Sequence, residues 1–164
     1  MCCGLRSIAL YIRSRRRRRL KYVEIDEHTG EVRWDQYFEY LRTIEQQFPP
    51  GLYSYASKWE HYSLDGRDSL HDAWLFGIHL SHRAKELVLE FLGSRHDRKL
   101  ILRYSGLAAY RVNLDVTFRD GDRDVLAHEF RIEDALVCHE IAFQQGRSIL
   151  VTSQSVMPTV QSLV

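Results

Sequence analysis

The chain has 164 residues, 45% of them apolar and 27% charged, which suits one domain with a real core. No apolar run approaches the roughly 20 residues of a membrane-spanning helix, and the three cysteines, Cys2, Cys3 and Cys138, include no CxxC pair, which argues against a disulfide framework or a cysteine zinc site. The formal net charge of +1 hides an asymmetry: there are eight basic residues and no acidic one up to Lys21, then 15 basic and 22 acidic residues, an acidic body behind a basic tail.

Residues 1–19 read as a disordered tail, because five consecutive arginines repel one another and bury nothing. Arg13, Arg15, Arg16, Arg17, Arg18 and Arg19 are candidates for contacting nucleic acid or another anionic surface. Cys2 and Cys3 beside them would suit acylation. The apolar stretch 8–12 precedes the arginines, the reverse of a secretory signal. The reducing cytoplasm is the expected compartment.

Residues 20–156 read as one α+β domain. Over 21–34, Tyr22, Val23 and Ile25 alternate into a turn at Glu27-His28-Thr29-Gly30, and Val32 and Trp34 resume the pattern, which predicts a hairpin. A helix is predicted over 35–48, with Asp35 as N-cap. Phe38, Leu41, Ile44 and Phe48 lie at its buried spacing, Tyr37 and Tyr40 flank them, and Pro49-Pro50-Gly51 ends it. Residues 52–67 predict a short helix or extended segment, then a loop at Asp65-Gly66-Arg67-Asp68. The aromatics of that segment are expected to pack on the sheet.

From Ser69 onward the pattern is of strands. One over 70–82 is apolar on both faces near its middle, as a central strand should be. Others follow over 86–92, 99–104 and 108–118, with Tyr110, Val112, Leu114, Val116 and Phe118 on one face. A turn at Asp120-Gly121-Asp122 leads to strands over 125–132, 137–144 and 148–156. Short connections imply antiparallel neighbours. The expected architecture is a mainly antiparallel, curled sheet of about six strands with an N-terminal helix packed on it, and a frayed end over 157–164.

Three His-acid dipeptides carry the chemistry that the chain offers: His71-Asp72, His128-Glu129 and His139-Glu140. Imidazole and carboxylate together can serve a metal ion or an acid/base pair. Adjacent residues of a strand face opposite ways, so any site must be assembled from different strands. Two hairpin registers matter here. With Ile132 paired to Leu136, Glu129 faces His139 and His128 faces Glu140, and these residues are structural. With His139 opposite Phe130, His128 lies diagonal to His139, but Glu129 opposes Glu140. Opposed like charges disfavour the second register unless a cation or arginine intervenes, so the first is expected. At the start of the 70–82 strand, Asp72 is expected to stabilise the preceding turn and to pair with Arg98. Cys138 is expected to pack as a small apolar residue. No GxGxxG, Walker loop, HExxH or GxSxG motif is present.

The break Phe48-Pro49-Pro50 followed by Tyr53-Ser54-Tyr55-Ala56-Ser57, then Ser69-Leu70-His71-Asp72-Ala73-Trp74, Leu92-Gly93-Ser94-Arg95-His96-Asp97-Arg98, Tyr104-Ser105-Gly106-Leu107 and the pair His128-Glu129 with His139-Glu140 resembles small uncharacterised bacterial domains, some similar to immunity proteins of polymorphic toxin systems. The resemblance spans about residues 34–156 and leaves out the arginine tail. It implies a domain type and no catalytic residues. The leading expectation is a non-enzymatic binding protein, immunity-like, needing no cofactor. Its acidic body would attract a basic partner such as a toxin. The alternatives are a metal-dependent enzyme using His71, Asp72, His128, Glu129, His139 and Glu140, and nucleic-acid binding through the arginine tail.

Overall fold

The computed structural model describes residues 20–26, 29–114 and 124–163. The tail of 1–19, the Glu27-His28 half of the first turn, the end of the 108–118 strand and the turn at 120–122 lie outside these. Among the described residues the strands form a two-stranded ribbon, β1 (Glu24–Ile25) with β2 (Val32–Arg33), and a six-stranded antiparallel sheet. The sheet contains β3 (Trp74–Ser81), β4 (Glu86–Leu92), β5 (Arg98–Asn113), β6 (Val125–Glu133), β7 (Leu136–Phe143) and β8 (Ser148–Ser162), in the order β3-β4-β5-β8-β7-β6. No helix among these residues is long and apolar enough to cross a membrane.

α1 (Asp35–Thr43) ends earlier than the spacing predicts, and a 3-10 turn, Glu45–Gln47, carries the chain to the prolines. Trp34, not Asp35, takes the N-cap position, and no side chain caps the helix. Tyr37 is fully buried beside Leu41, whereas Phe38 is only partly so. Leu41 and Phe48 are buried as the spacing predicts, Phe38 and Ile44 only partly, and the helix is turned so that Tyr37 takes the deepest place. Two tyrosine hydroxyls explain the turn. Tyr37 Oη accepts from the Phe130 amide at 2.9 Å and Tyr40 Oη from the Ile132 amide at 3.0 Å. These amides belong to β6, an edge strand whose free donors would otherwise be open to a foreign strand. α2 (Leu52–Ala56) and a 3-10 turn at Trp59–His61 complete a layer that covers the inner face of the sheet.

Three strand expectations are corrected. β3 is an edge strand, not a central one. Its apolar run does not mean burial on both sides: Leu75 points into the core, while Phe76 sits on a bulge, 64% exposed, with Lys99 Nζ 4.9 Å from its ring centroid. The strands predicted over 99–104 and 108–118 are one continuous strand, β5, across Gly106. That glycine has φ +65, and a Cβ there would meet Gln154 Oε1 at 2.4 Å. The bulge follows directly, between Leu107 and Ala109, and the positive-φ glycine beside it lets the chain turn a corner without leaving the ladder. The end predicted to fray instead continues β8 to Ser162, in register with β5 through Arg98↔Ser162.

β3 and β6 touch at one end, through a Trp74–Asp124 bridge and main-chain bonds from Asp72 to Val125 and from Val125 to Ala73. They remain apart elsewhere, and the sheet is not strongly curled.

The β6–β7 register is the one disfavoured above. Phe130 pairs with His139, Glu129 with Glu140 and His128 with Ile141. A two-residue turn, Asp134-Ala135, with both φ positive, sets it. The opposed glutamates are tolerated because Arg131 stands between them.

Candidate functional site

β6 and β7 send one member of each His-acid dipeptide to each face. Glu129, Arg131, Glu133, Cys138 and Glu140 share the outer face. Arg131 Nη1 binds Glu129 Oε1, and it reaches Glu140 Oε2 at 2.9 Å, while Nε reaches Glu133 Oε1 at 2.9 Å. Glu129 is fully buried. Its carboxylate also accepts the amides of Lys21 at 2.7 Å, Tyr22 at 2.9 Å and Val23 at 3.2 Å. A buried carboxylate with several donors and a guanidinium is a satisfied structural ion. Cys138 is buried, as expected, but it is not an apolar bystander: its Sγ lies 3.2 Å from Arg131 Nη2. Burial pushes its thiol up, against the pull of the arginine.

His128 and His139 meet on the inner face. His128 Nδ1 is 3.1 Å from His139 Nε2, His139 Nδ1 is 2.6 Å from Tyr104 Oη, and His128 Nε2 is 3.4 Å from the His61 carbonyl. A carbonyl can only accept, so His128 carries its proton on Nε2. Its Nδ1 then accepts, His139 donates from Nε2, and His139 Nδ1 accepts the Tyr104 hydroxyl proton. The chain runs one way and uses all four ring nitrogens. Aromatic rings enclose it. Tyr62 stacks on His128 at 4.6 Å, Phe130 stacks on His139 at 3.8 Å, and Trp34 meets His128 edge-on. Burial pushes His128 down to about 3 and His139 well below the usual imidazole range, with His128 and Arg131 lowering His139 further. Both rings are neutral.

His71-Asp72 lies at the other end of this layer. His71 Nδ1 is 3.2 Å from Asp72 Oδ1, a close pair without hydrogen-bond alignment. Asp72 takes φ +58 and its amide donates to the Val125 carbonyl, while the His71 amide in the preceding turn donates to Ser69 Oγ at 3.0 Å rather than to the Asp72 carboxylate. The predicted partner of Arg98 is wrong. Arg98 Nη1 binds Asp68 Oδ1 at 2.5 Å, and Arg67 holds the adjacent Asp97, also at 2.5 Å. The local positive-φ turn at Asp72 brings Asp68, not Asp72, to the arginine.

The six residues predicted as metal ligands are thus divided between two faces and a turn. Among the described residues no three His, Cys, Asp or Glu side chains are placed to hold a metal ion. The arginines of the tail lie outside the described residues. Sequence reasoning missed Tyr104, Tyr62 and His61, which complete the histidine chain. They stand 35, 66 and 67 positions from the histidines they contact, and no local pattern marks them.

Among the described residues, a shallow concavity on the helical layer combines aromatic and charged side chains. Asp35, Phe38, Glu39, Arg42, Ser57 and Trp59 line a shallow cleft of about 390 Å³ between α1 and the turn after α2. Trp59 is 52% exposed, and its ring centroid lies 6.0 Å from that of Phe38. Asp35 and Glu39 stand one helical turn apart, both exposed, on the rim. Aromatic faces beside carboxylates suit a cationic side chain.

No protein-family model matches this sequence, and the search of curated proteins found no match.

Proposed function

We propose that the chain is a non-catalytic protein-binding domain, immunity-like in kind, whose partner is a basic protein in the cytoplasm. The observation that carries this reading is the α1 cleft. An exposed tryptophan beside a phenylalanine, with Asp35 and Glu39 against the single cation Arg42 in the lining, matches the composition of an interface anchor, and arginine is the side chain that best uses both stacking and carboxylate contacts. The acidic excess of the body supports the same partner, because complementary charge speeds encounter and rejects acidic competitors. The histidines do not compete as a site, since every ring nitrogen of His128 and His139 is engaged inside the fold.

The test is coexpression with the basic products of neighbouring genes, followed by affinity measurement at several salt concentrations. A complex is expected that weakens with ionic strength and loses at least about 30-fold in affinity in Trp59→Ala, a hot-spot-sized loss of about 2 kcal/mol. Glu39→Lys should weaken it further at low salt. A complex indifferent to both substitutions, or none with any such product, overturns the proposal.

A further inference from the structure

We propose that the Tyr104–His139–His128–His61 chain is an acid-sensitive latch that holds the N-terminal layer, residues 20–73, onto the sheet. Three of its members belong to the sheet: Tyr104 on β5, His139 on β7 and His128 on β6. The fourth, the His61 carbonyl, belongs to the layer, and it also accepts Ser69 Oγ at 3.1 Å and the Leu70 amide at 3.2 Å. The junction between sheet and layer is the longest link in the chain, at 3.4 Å.

The direction of the chain makes it sensitive to protons. Every nitrogen is already a committed donor or acceptor. A proton added to His128 Nδ1 would face the N–H of His139, and one added to His139 Nδ1 would displace the Tyr104 hydroxyl proton. Among the described residues no carboxylate of the inner face is in contact to stabilise an imidazolium. The groups around the pair are Tyr37 from α1, Tyr55 from α2, and His61 and Tyr62 from the following turn. Asp68 and His71 stand in the loop before β3, acting on the rings around them and on His128 respectively. Glu129, Arg131 and Glu140 face the other side of the sheet, and Arg131 adds to the opposition at His139. His61 itself is held low by burial, against a small opposing pull from Asp68. Protonation is thus refused while the layer is closed and permitted once it lifts.

The sign follows. The closed state binds fewer protons than the open one below the ordinary histidine value of about 6.5. The layer is fully held above that pH and loosens as pH falls, by about tenfold in the opening constant per pH unit for each histidine, and about 100-fold for the pair. Amide hydrogen exchange on the whole chain, corrected for the intrinsic rate, reads this directly. Between pH 6.5 and 5 the amides of Tyr62 and Leu70 should lose protection with that slope, and at each pH they should exchange faster than the amides of β4, β5 and β8, which open only with the whole fold. His128→Gln should reduce the slope by one factor of ten per unit, and the exposed His82→Gln should leave it unchanged. Should His128→Gln not fold, side-chain nitrogen spectra of the unaltered protein at pH 7 decide: both histidines are expected protonated on Nε2 and bare on Nδ1. An Nδ1–H form or an imidazolium at either residue, a layer whose protection ignores pH, or layer amides protected as strongly as those of β4, β5 and β8 would overturn the latch.

Discussion

The two faces of the β6–β7 hairpin solve one problem in opposite ways. Each receives polar groups from the same dipeptides, His128-Glu129 and His139-Glu140, and each is largely withdrawn from water. The outer face keeps its charges. Glu129, Arg131, Glu133 and Glu140 form an ion cluster in which one guanidinium answers three carboxylates. The inner face keeps none. Its histidines are neutral and bonded in a line beneath aromatic rings. Charge survives burial only where counter-charge and donors surround it, whereas an imidazole can shed its proton and remain a donor and acceptor. The faces therefore differ in what disturbs them. One depends on a single arginine, the other on pH.

Removing that arginine is the harshest way to break the comparison. Arg131→Ala leaves Glu129 buried without its counter-charge, and it is expected to cost about 3–5 kcal/mol, measured by urea denaturation at pH 7. A loss under 1 kcal/mol would mean that the three backbone amides on Glu129 suffice alone. Acid tests the other face. With His128 at about 3 when folded and near 6.5 when unfolded, the unfolded chain takes up protons across that window, so stability is whole above pH 6.5 and falls below it. From pH 6.5 to 5 each of the two histidines should withdraw roughly 2 kcal/mol; a denaturation midpoint constant across that range would contradict the neutral pair.

Finer changes sharpen the contrast. Tyr37→Phe removes the acceptor of the Phe130 amide and a hydrogen-bond partner of Tyr62 at 3.1 Å. A buried amide left alone costs about 1–3 kcal/mol, and the same denaturation experiment should register it, without altering the acid slope. Arg98→Ala is the mildest. It breaks a partly exposed pair with Asp68, for which roughly 1 kcal/mol or less is expected. A larger loss would show that the turn carrying Asp68 and Ser69 depends on that pair to hold the histidine latch in place.

Local pattern made much of the fold legible. The first ribbon, the helix beginning at Asp35 and the succession of antiparallel strands follow from alternation, spacing and turn residues, because each depends on neighbours a few positions away. The errors have physical causes that lie further off. β3 reads as central because its run is apolar, but the order of strands depends on which edge the β5–β8 pairing leaves free. Leu41 and Phe48 are buried as their spacing predicts, but Tyr37 lies deeper than Phe38 because the hydroxyls of Tyr37 and Tyr40 serve β6 amides about 92 positions away.

The register of β6 and β7 is the clearest case. Alternation along a strand already rules out a site within any one of the dipeptides, and opposed Glu129 and Glu140 require a cation or arginine between them. Arg131 was in plain view as that cation, two residues from Glu129. That it fills the role rests on contacts beyond the local pattern: the Asp134-Ala135 turn fixes the register, and the amides of Lys21, Tyr22 and Val23, arriving from more than 100 residues away, satisfy the Glu129 carboxylate that Arg131 binds. The same holds for the histidines. Their kind and spacing are written in the chain, but their neutrality follows from Tyr104, Tyr62 and the His61 carbonyl, groups that distant segments bring together and that seal the pair from water.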